Sequence, residues 1–220
     1  MSLEYNISNK FYGVISIDNV AKYIESFISL DNDHLATILL EEERRVGINP
    51  SVGIEVGKVL GLLIRMINAK KVLEFGTCLG FSTVCMGQAL LETGGKLISV
   101  EKDKDLYEDT KKNIELAGVF EIVELICGDA EKAIKEINGP FDIILQDSSK
   151  SVYTNMLEEC IKLTRKGGLI IADDTLFKPM GMPAQLSEPV HKYNEMVFSD
   201  KRLYSIILPI GDGVTISTKL

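Results

Sequence analysis

The sequence predicts an α/β fold: a doubly wound, mostly parallel sheet with helices on both faces and an antiparallel hairpin at the C-terminus. Three observations carry this. Five short apolar runs, at 71–75, 96–101, 122–127, 141–147 and 168–174, read as strands. The stretches between them repeat apolar residues at spacings of three and four, and such alternation is the signature of parallel strands joined by helices. After these, "RLYSIILPI" and "GVTIST" are joined through "GDG", a hairpin signal.

Taken in chain order, "IDNVAKYIESFIS" (17–29), "DNDHLATILLEEERRV" (31–46) and "VGIEVGKVLGLLIRMI" (52–67) predict amphipathic helices, each opening near an Asp or Ser cap. They make up an N-terminal part, residues 1–69, expected to cover the ligand edge or a partner subunit. Residues 70–220 form the sheet core, and the whole chain, 1–220, is one domain. "KVLEF" is the first strand and leads through "LEFGTCLGFST" into the helix "STVCMGQALLE". "KLISVE", "DLYEDTKKNIELAG", "IVELIC" and "DAEKAIKEI" continue the alternation, followed by "FDIILQD", "YTNMLEECIKLTR" and "GLIIADD". The last of these strands is apolar on both faces, as a central parallel strand should be. The Met- and Pro-rich "LFKPMGMPAQLSEP" (176–189) reads either as a segment overhanging a ligand pocket or as an ordinary irregular loop, and "VHKYNEMVF" (190–198) as a helix before the hairpin.

Composition removes several classes. Hydrophobic residues at 45% and charged residues at 25% are globular values, against disorder and fibrous repeats. No apolar run approaches the roughly 18 to 20 residues that span a bilayer, and "MSLEYNISNKF" lacks the basic start and apolar middle of a signal peptide, so a cytoplasmic protein without membrane contact is expected. Cys78, Cys85, Cys127 and Cys160 form no C-x-x-C pair and read as buried thiols, with neither a zinc site nor a disulfide framework. With only His34 and His191 available, any metal would be bound through oxygen. The net charge of −8 disfavours a broad nucleic-acid surface, although Lys70–Lys71 or Lys111–Lys112 could form a local basic patch.

Candidate chemistry gathers at the strand ends, the edge where open α/β sheets bind ligands. Gly76 and Gly80 permit a tight turn with close backbone approach, and the following helix offers its N-terminal N–H groups to an anion. The spacing is not G-x-G-x-x-G, which disfavours a nicotinamide-dependent oxidoreductase. Glu101 ends the second strand, where an acid accepts hydrogen bonds from ribose hydroxyls, and Asp129 after the third would contact adenine or cap the next helix. Asp147 ends the fourth strand, one strand over from Asp173 and Asp174. Three carboxylates converging there would repel one another without a cation. Magnesium, octahedral with oxygen ligands at roughly 2.0–2.1 Å, is the natural occupant, and calcium or manganese would also fit. The alternative is that one Asp binds cofactor and another caps a helix. Lys150, three residues beyond Asp147, reads as a general base whose pKa is lowered by a neighbouring cation and partial burial, or else as a surface lysine.

Together, "INPSVGIEVGKVL", "VLEFGTCLGFS", "SVEKD", "CGDA", "FDIILQDSSK", "KGGLIIADDTLF" and "LPIGDGVTIS" resemble the cation-dependent O-methyltransferases, the family of catechol and caffeoyl-CoA O-methyltransferases and their small bacterial relatives. The resemblance implies a Rossmann-like seven-stranded fold binding S-adenosylmethionine, Mg²⁺-dependent transfer of methyl to a vicinal diol on an aromatic ring, and a homodimer. It implies that Glu74, Gly76, Thr77, Gly80 and Ser82 form the methionine side of the cofactor pocket and that Val52 approaches it. It makes Glu101 the ribose acid and gives the adenine contacts to Asp129 and Ala130. Asp147, Asp173 and Asp174 become metal ligands, with Asp147 also at the cofactor, and Lys150 becomes the base. Two departures stand out: "ADD" replaces the usual "ADN", a third carboxylate that should tighten cation binding, and "QDSSK" replaces "IDADK". The reading is a divalent-cation-dependent O-methyltransferase acting on a catechol-like diol. The alternatives are a tRNA hydroxyuridine O-methyltransferase and a cofactor-binding protein without catalysis.

Overall fold

The computed structural model describes residues 22–24 and 26–220. The helix expected over 17–29 lies partly outside the described residues; of it, 22–24 are helical and 26–29 are not. Two further helices precede the sheet among the described residues, α1 (Asp33–Arg44) and α2 (Gly53–Met66). The core then runs β1 (Lys71–Phe75), α3 (Phe81–Thr93), β2 (Lys96–Glu101), α4 (Lys104–Leu116), β3 (Val123–Cys127), α5 (Ala130–Glu136), β4 (Phe141–Gln146), α6 (Tyr153–Leu163) and β5 (Thr164–Ala172). It closes with α7 (Ala184–Ser199), β6 (Leu203–Leu208) and β7 (Val214–Lys219). The seven strands lie in the order β3-β2-β1-β4-β5-β7-β6; the first five are mutually parallel, and β7 is antiparallel to both β5 and β6.

Both sheet faces are covered, because successive residues of a strand point to opposite sides. Val72, Ile143, Leu145 and Ile171 pack with α1–α4, whereas Leu73, Phe75, Ile144 and Ile170 pack with α5, α6 and α7. No helix among the described residues is long and apolar enough to cross a membrane.

Register explains the site. Phe75 pairs with Gln146, and Gln146 with Ala172, so β1, β4 and β5 end in line. The strand order runs outward in opposite directions from β1 and β4, which opens a crevice at the carboxyl edge between them. Gly76, Asp147 and Asp173 are the next residues of three adjacent strands. Asp147 N–H donates to the Phe75 carbonyl at 2.9 Å and Asp173 N–H to the Gln146 carbonyl at 3.1 Å, which fixes their backbones before any side-chain contact is made.

Several boundaries differ from expectation. β5 starts at Thr164, inside the helix predicted to reach 165, and ends before the aspartates, while Ile122 sits in a short 3₁₀ turn ahead of β3. The segment 176–189 is only half irregular: α7 begins at Ala184 and carries Pro189 within it. Burial of Ser187, Val190, Tyr193 and Val197 along one stripe outweighs the hydrogen bond that Pro189 forfeits. Of the four free cysteines, Cys85 and Cys160 are buried as expected, but Cys78 is half-buried, and Cys127, at the tip of the edge strand β3, is exposed.

Candidate active site at the carboxyl edge of the sheet

The glycine-rich turn is held by an acid. Glu101 Oε2 accepts from Thr77 N–H, Thr77 Oγ1 and Cys78 N–H, each at 3.1 Å, while its Oε1 accepts from Asp103 N–H at 2.8 Å. Thr77 Oγ1 also meets Thr110 Oγ1 at 3.0 Å, tying the turn to α4. The turn itself is left-handed at Gly76 (φ 94°), Cys78 (φ 50°) and Gly80 (φ 90°), and Gly80 caps the N-terminus of α3. Gly76 is required by more than its dihedral: a Cβ there would lie 2.2 Å from the Asp147 carbonyl oxygen. The close approach expected toward a ligand is therefore first an approach between the tips of β1 and β4.

Glu74 is the penultimate residue of β1, just ahead of the glycine turn. It is fully buried; Ser82 donates to one carboxylate oxygen, and Thr83, at 2.6 Å, and Ser99 donate to the other. Burial pushes its pKa up to about 7, against the pull of these three hydroxyls. Both oxygens face protein donors, so Glu74 braces β1, β2 and α3, and Ser82 is committed to that brace. Val52 is buried at the start of α2, with its carbonyl beside Gly211 of the closing hairpin. Asp129 precedes α5 without making a side-chain cap; it is part-exposed beside Ala130 and pairs with Lys102 at 3.3 Å.

Asp147, Asp173 and Asp174 converge as expected: one carboxylate oxygen from each lies within 4.8 Å of the others. Asp174 adopts a left-handed backbone, φ 64°, a conformation Asp and Asn tolerate better than other side chains, and this swings its carboxylate round to the cluster. Asp173 is 4% exposed, and its Oδ1 is buried with no hydrogen-bond partner among the described residues. A buried carboxylate oxygen without a donor is costly, and a cation offers what the protein does not. Hard oxygen donors, closely spaced and net negative, fit magnesium, calcium or manganese.

Lys150 joins the cluster, with Nζ 3.1 Å from Asp147 Oδ1, 2.7 Å from Asp174 Oδ2 and 2.9 Å from the Tyr153 hydroxyl. Its pKa is set by opposing influences among these protein groups. Burial, the largest influence, lowers it, but Tyr153, Asp147 and Asp174 together carry it well above the usual lysine value. Burial raises Asp147 to about 6 despite Lys150, and raises Asp173 to about 8, helped by its two acidic neighbours.

Acids whose folded pKa values lie above 3.8 hold protons that the unfolded chain has released, so their contribution to stability falls as pH rises from about 4 toward 8. With chelator present, the melting midpoint should be higher at about pH 6 than at about pH 8.5. Added Mg²⁺ should raise it more at the higher pH, because ligand carboxyls must first lose their protons. Calorimetry at the two pH values checks this; an Mg²⁺ shift larger at pH 6 would contradict it.

Two contributors escape sequence reasoning. Tyr153, fully buried, carries no motif. Asp212 lies in the hairpin signal, and its backbone carbonyl accepts from Leu176 N–H at 3.0 Å while the Gly213 carbonyl accepts from Thr175 N–H at 2.9 Å. The hairpin thereby clamps the residues that follow the acid pair.

Comparison with known proteins identifies the family and the fold. Residues 27–220 match the family described as O-methyltransferase. A catechol O-methyltransferase of Niastella koreensis is 32% identical over 87% of this chain and 90% of its own length. A caffeoyl-CoA O-methyltransferase of Populus kitakamiensis is 31% identical over 77% of this chain and 78% of its own. Among solved structures, an O-methyltransferase from Bacillus cereus in complex with SAH superposes with a TM-score of 0.78 at 22% identity, covering 92% of this chain and 97% of that one. The O-methyltransferase TomG from Streptomyces achromogenes, solved with SAM, gives 0.79 at 24%, covering 91% and 96%. These two likenesses show the fold.

Proposed function

Because this chain belongs to the O-methyltransferase family, we propose that it transfers the methyl group of S-adenosylmethionine to one hydroxyl of a catechol-like vicinal diol, with a divalent cation, magnesium, held by Asp147, Asp173 and Asp174. The observation that carries the cation is the buried, partnerless oxygen of Asp173 within a three-carboxylate cluster, as the described residues stand. The cofactor reading is supported by the left-handed glycine turn opening onto the N-terminus of α3, and by Glu101, whose Oε1 takes only one donor among the described residues. Relatives solved with SAH or SAM share this fold.

S-adenosylmethionine supplies an electrophilic methyl on sulfonium, and the cation supplies a template for two adjacent oxygens with Lewis acidity toward one of them. The protein's own residues do the rest. The glycine turn, Glu101 and the Asp129–Ala130 segment orient the cofactor, and Val52 closes its side. Lys150 accepts the hydroxyl proton at Nζ. Its two carboxylate partners are the ones a cation would share, and sharing weakens the attraction that holds it charged. Burial then favours the neutral amine. Alignment of oxyanion and methyl contributes through effective molarities on the order of 10⁵ M or more.

Lys150→Ala should lower kcat by about 10² to 10⁴-fold, the usual weight of a general base, while affinity for S-adenosylmethionine stays close to wild type. Steady-state kinetics and calorimetric titration check this, and an unchanged kcat removes Lys150 from proton transfer. The function itself is tested by following labelled methyl from S-adenosylmethionine into catechols, hydroxycinnamoyl thioesters and bulk tRNA, each with and without EDTA. Transfer to a diol that stops on chelation is expected. Full activity in EDTA overturns the cation, and transfer to tRNA alone overturns the small-molecule acceptor.

A further inference from the structure

We propose that Tyr153 is the positioning residue for Lys150, its buried hydroxyl holding the Nζ amino group in place when Asp147 and Asp174 engage a cation; the inference rests on the proposed reaction. An ammonium has three N–H bonds, and Lys150 Nζ meets three acceptors: Asp174 Oδ2 at 2.7 Å, Tyr153 Oη at 2.9 Å and Asp147 Oδ1 at 3.1 Å. Two of these are candidate cation ligands. Tyr153 is the acceptor with no competing duty. Nζ stands 2.9 Å from the hydroxyl and 5.1 Å from the ring centroid, so the lysine head meets the oxygen directly and lies within reach of the ring face as well.

The hydroxyl can do this because it cannot move. Tyr153 opens α6, is fully buried and meets Tyr193 edge-on, with centroids 5.6 Å apart and planes at 73°. Tyr193 is also fully buried, and its own hydroxyl lies 3.3 Å from Gln146 Nε2, on the residue that precedes Asp147. The aromatic pair thus links the tip of β4 to the lysine through rigid groups. Lys150 itself sits in a single 3₁₀ turn, Lys150–Val152, on a long flexible stem whose head is fixed, among the described residues, by these three acceptors alone. Tyr153 is three residues on, close enough to reach back over that turn. It therefore sets where the base stands relative to the hydroxyl that is to lose its proton.

Tyr153→Phe deletes the oxygen and keeps the ring. The expected result is a kcat lowered between about 10- and 100-fold, with KM for the diol and affinity for S-adenosylmethionine within about twofold of wild type. In a Lys150→Ala background the same change should have no further effect, which distinguishes action through the lysine from a general loss of packing. A crystal structure of Tyr153→Phe with Mg²⁺ and S-adenosylhomocysteine should show Lys150 spread over several rotamers where the wild type shows one. Equal losses of kcat in both backgrounds, or Lys150 unmoved in the variant, overturn the proposal. Should the wild type methylate no diol, the proposed reaction fails by itself, and the crystallographic comparison still decides whether Tyr153 places the lysine.

Discussion

Asp173→Asn should abolish measurable cation binding and lower turnover by more than the roughly 10- to 100-fold that losing an outer-shell partner of a metal ligand costs. In the presence of chelator it should also make the protein more stable. Both effects have one origin. Asp173 is buried beside two further carboxylates, its pKa is raised to about 8 by burial and by their charge, and its Oδ1 has no donor among the described residues. Three closely spaced carboxylates, once ionised, concentrate the negative charge that a divalent ion offsets. An isosteric amide removes one of those charges and gives the site a donor, so folding no longer works against repulsion at this point. The gain should be largest near pH 8, where the native carboxyl begins to ionise, and small near pH 5, where it is protonated. Calorimetric titration with Mg²⁺, kcat under saturating cofactor, and melting midpoints in EDTA at the two pH values measure the three parts. If stability drops while cation affinity persists, the carboxylate is a structural group and the site must be elsewhere.

The elements that position this site were legible because strands declare themselves by local pattern. "FDIILQD" and "GLIIADD" end in acids at equivalent points, and parallel pairing in register makes equivalent points neighbours. What the sequence could not display were partners supplied by other elements. The resemblance placed Glu74 by the cofactor pocket; it could not show that Ser82, Thr83 and Ser99, from a helix and the next strand, donate to both of its oxygens. Lys150 was expected to lose charge beside a cation and through partial burial. Among the protein groups alone, its two carboxylates and Tyr153 outweigh burial, a balance that depends on distances and not on spacing along the chain. Likewise α7 runs through Pro189 because a buried stripe continues across it, which local propensity does not report.

Gly76→Ala carries the second large effect, and it separates two meanings of a glycine-rich turn. If the turn exists chiefly to admit a ligand, a methyl group there should weaken cofactor binding and leave the fold nearly intact. The geometry predicts otherwise. At φ 94° any side chain is strained, and the added carbon would stand 2.2 Å from the Asp147 carbonyl oxygen, a backbone atom with no rotamer to escape into. Relief requires the tips of β1 and β4 to part, yet Asp147 N–H is bonded to the Phe75 carbonyl at 2.9 Å immediately beside the clash. A loss of about 3 kcal/mol or more is therefore expected in urea unfolding. Gly80→Ala, equally left-handed at 90° but meeting only the Thr110 methyl at 3.1 Å, should cost less. Because Asp147 is a candidate cation ligand, whatever fraction of Gly76→Ala folds should also bind Mg²⁺ more weakly, whereas Gly80→Ala should not. Near-wild-type stability for Gly76→Ala would mean that the strand tips separate freely. The cluster would then owe its geometry to the ion it binds and not to the sheet beneath it.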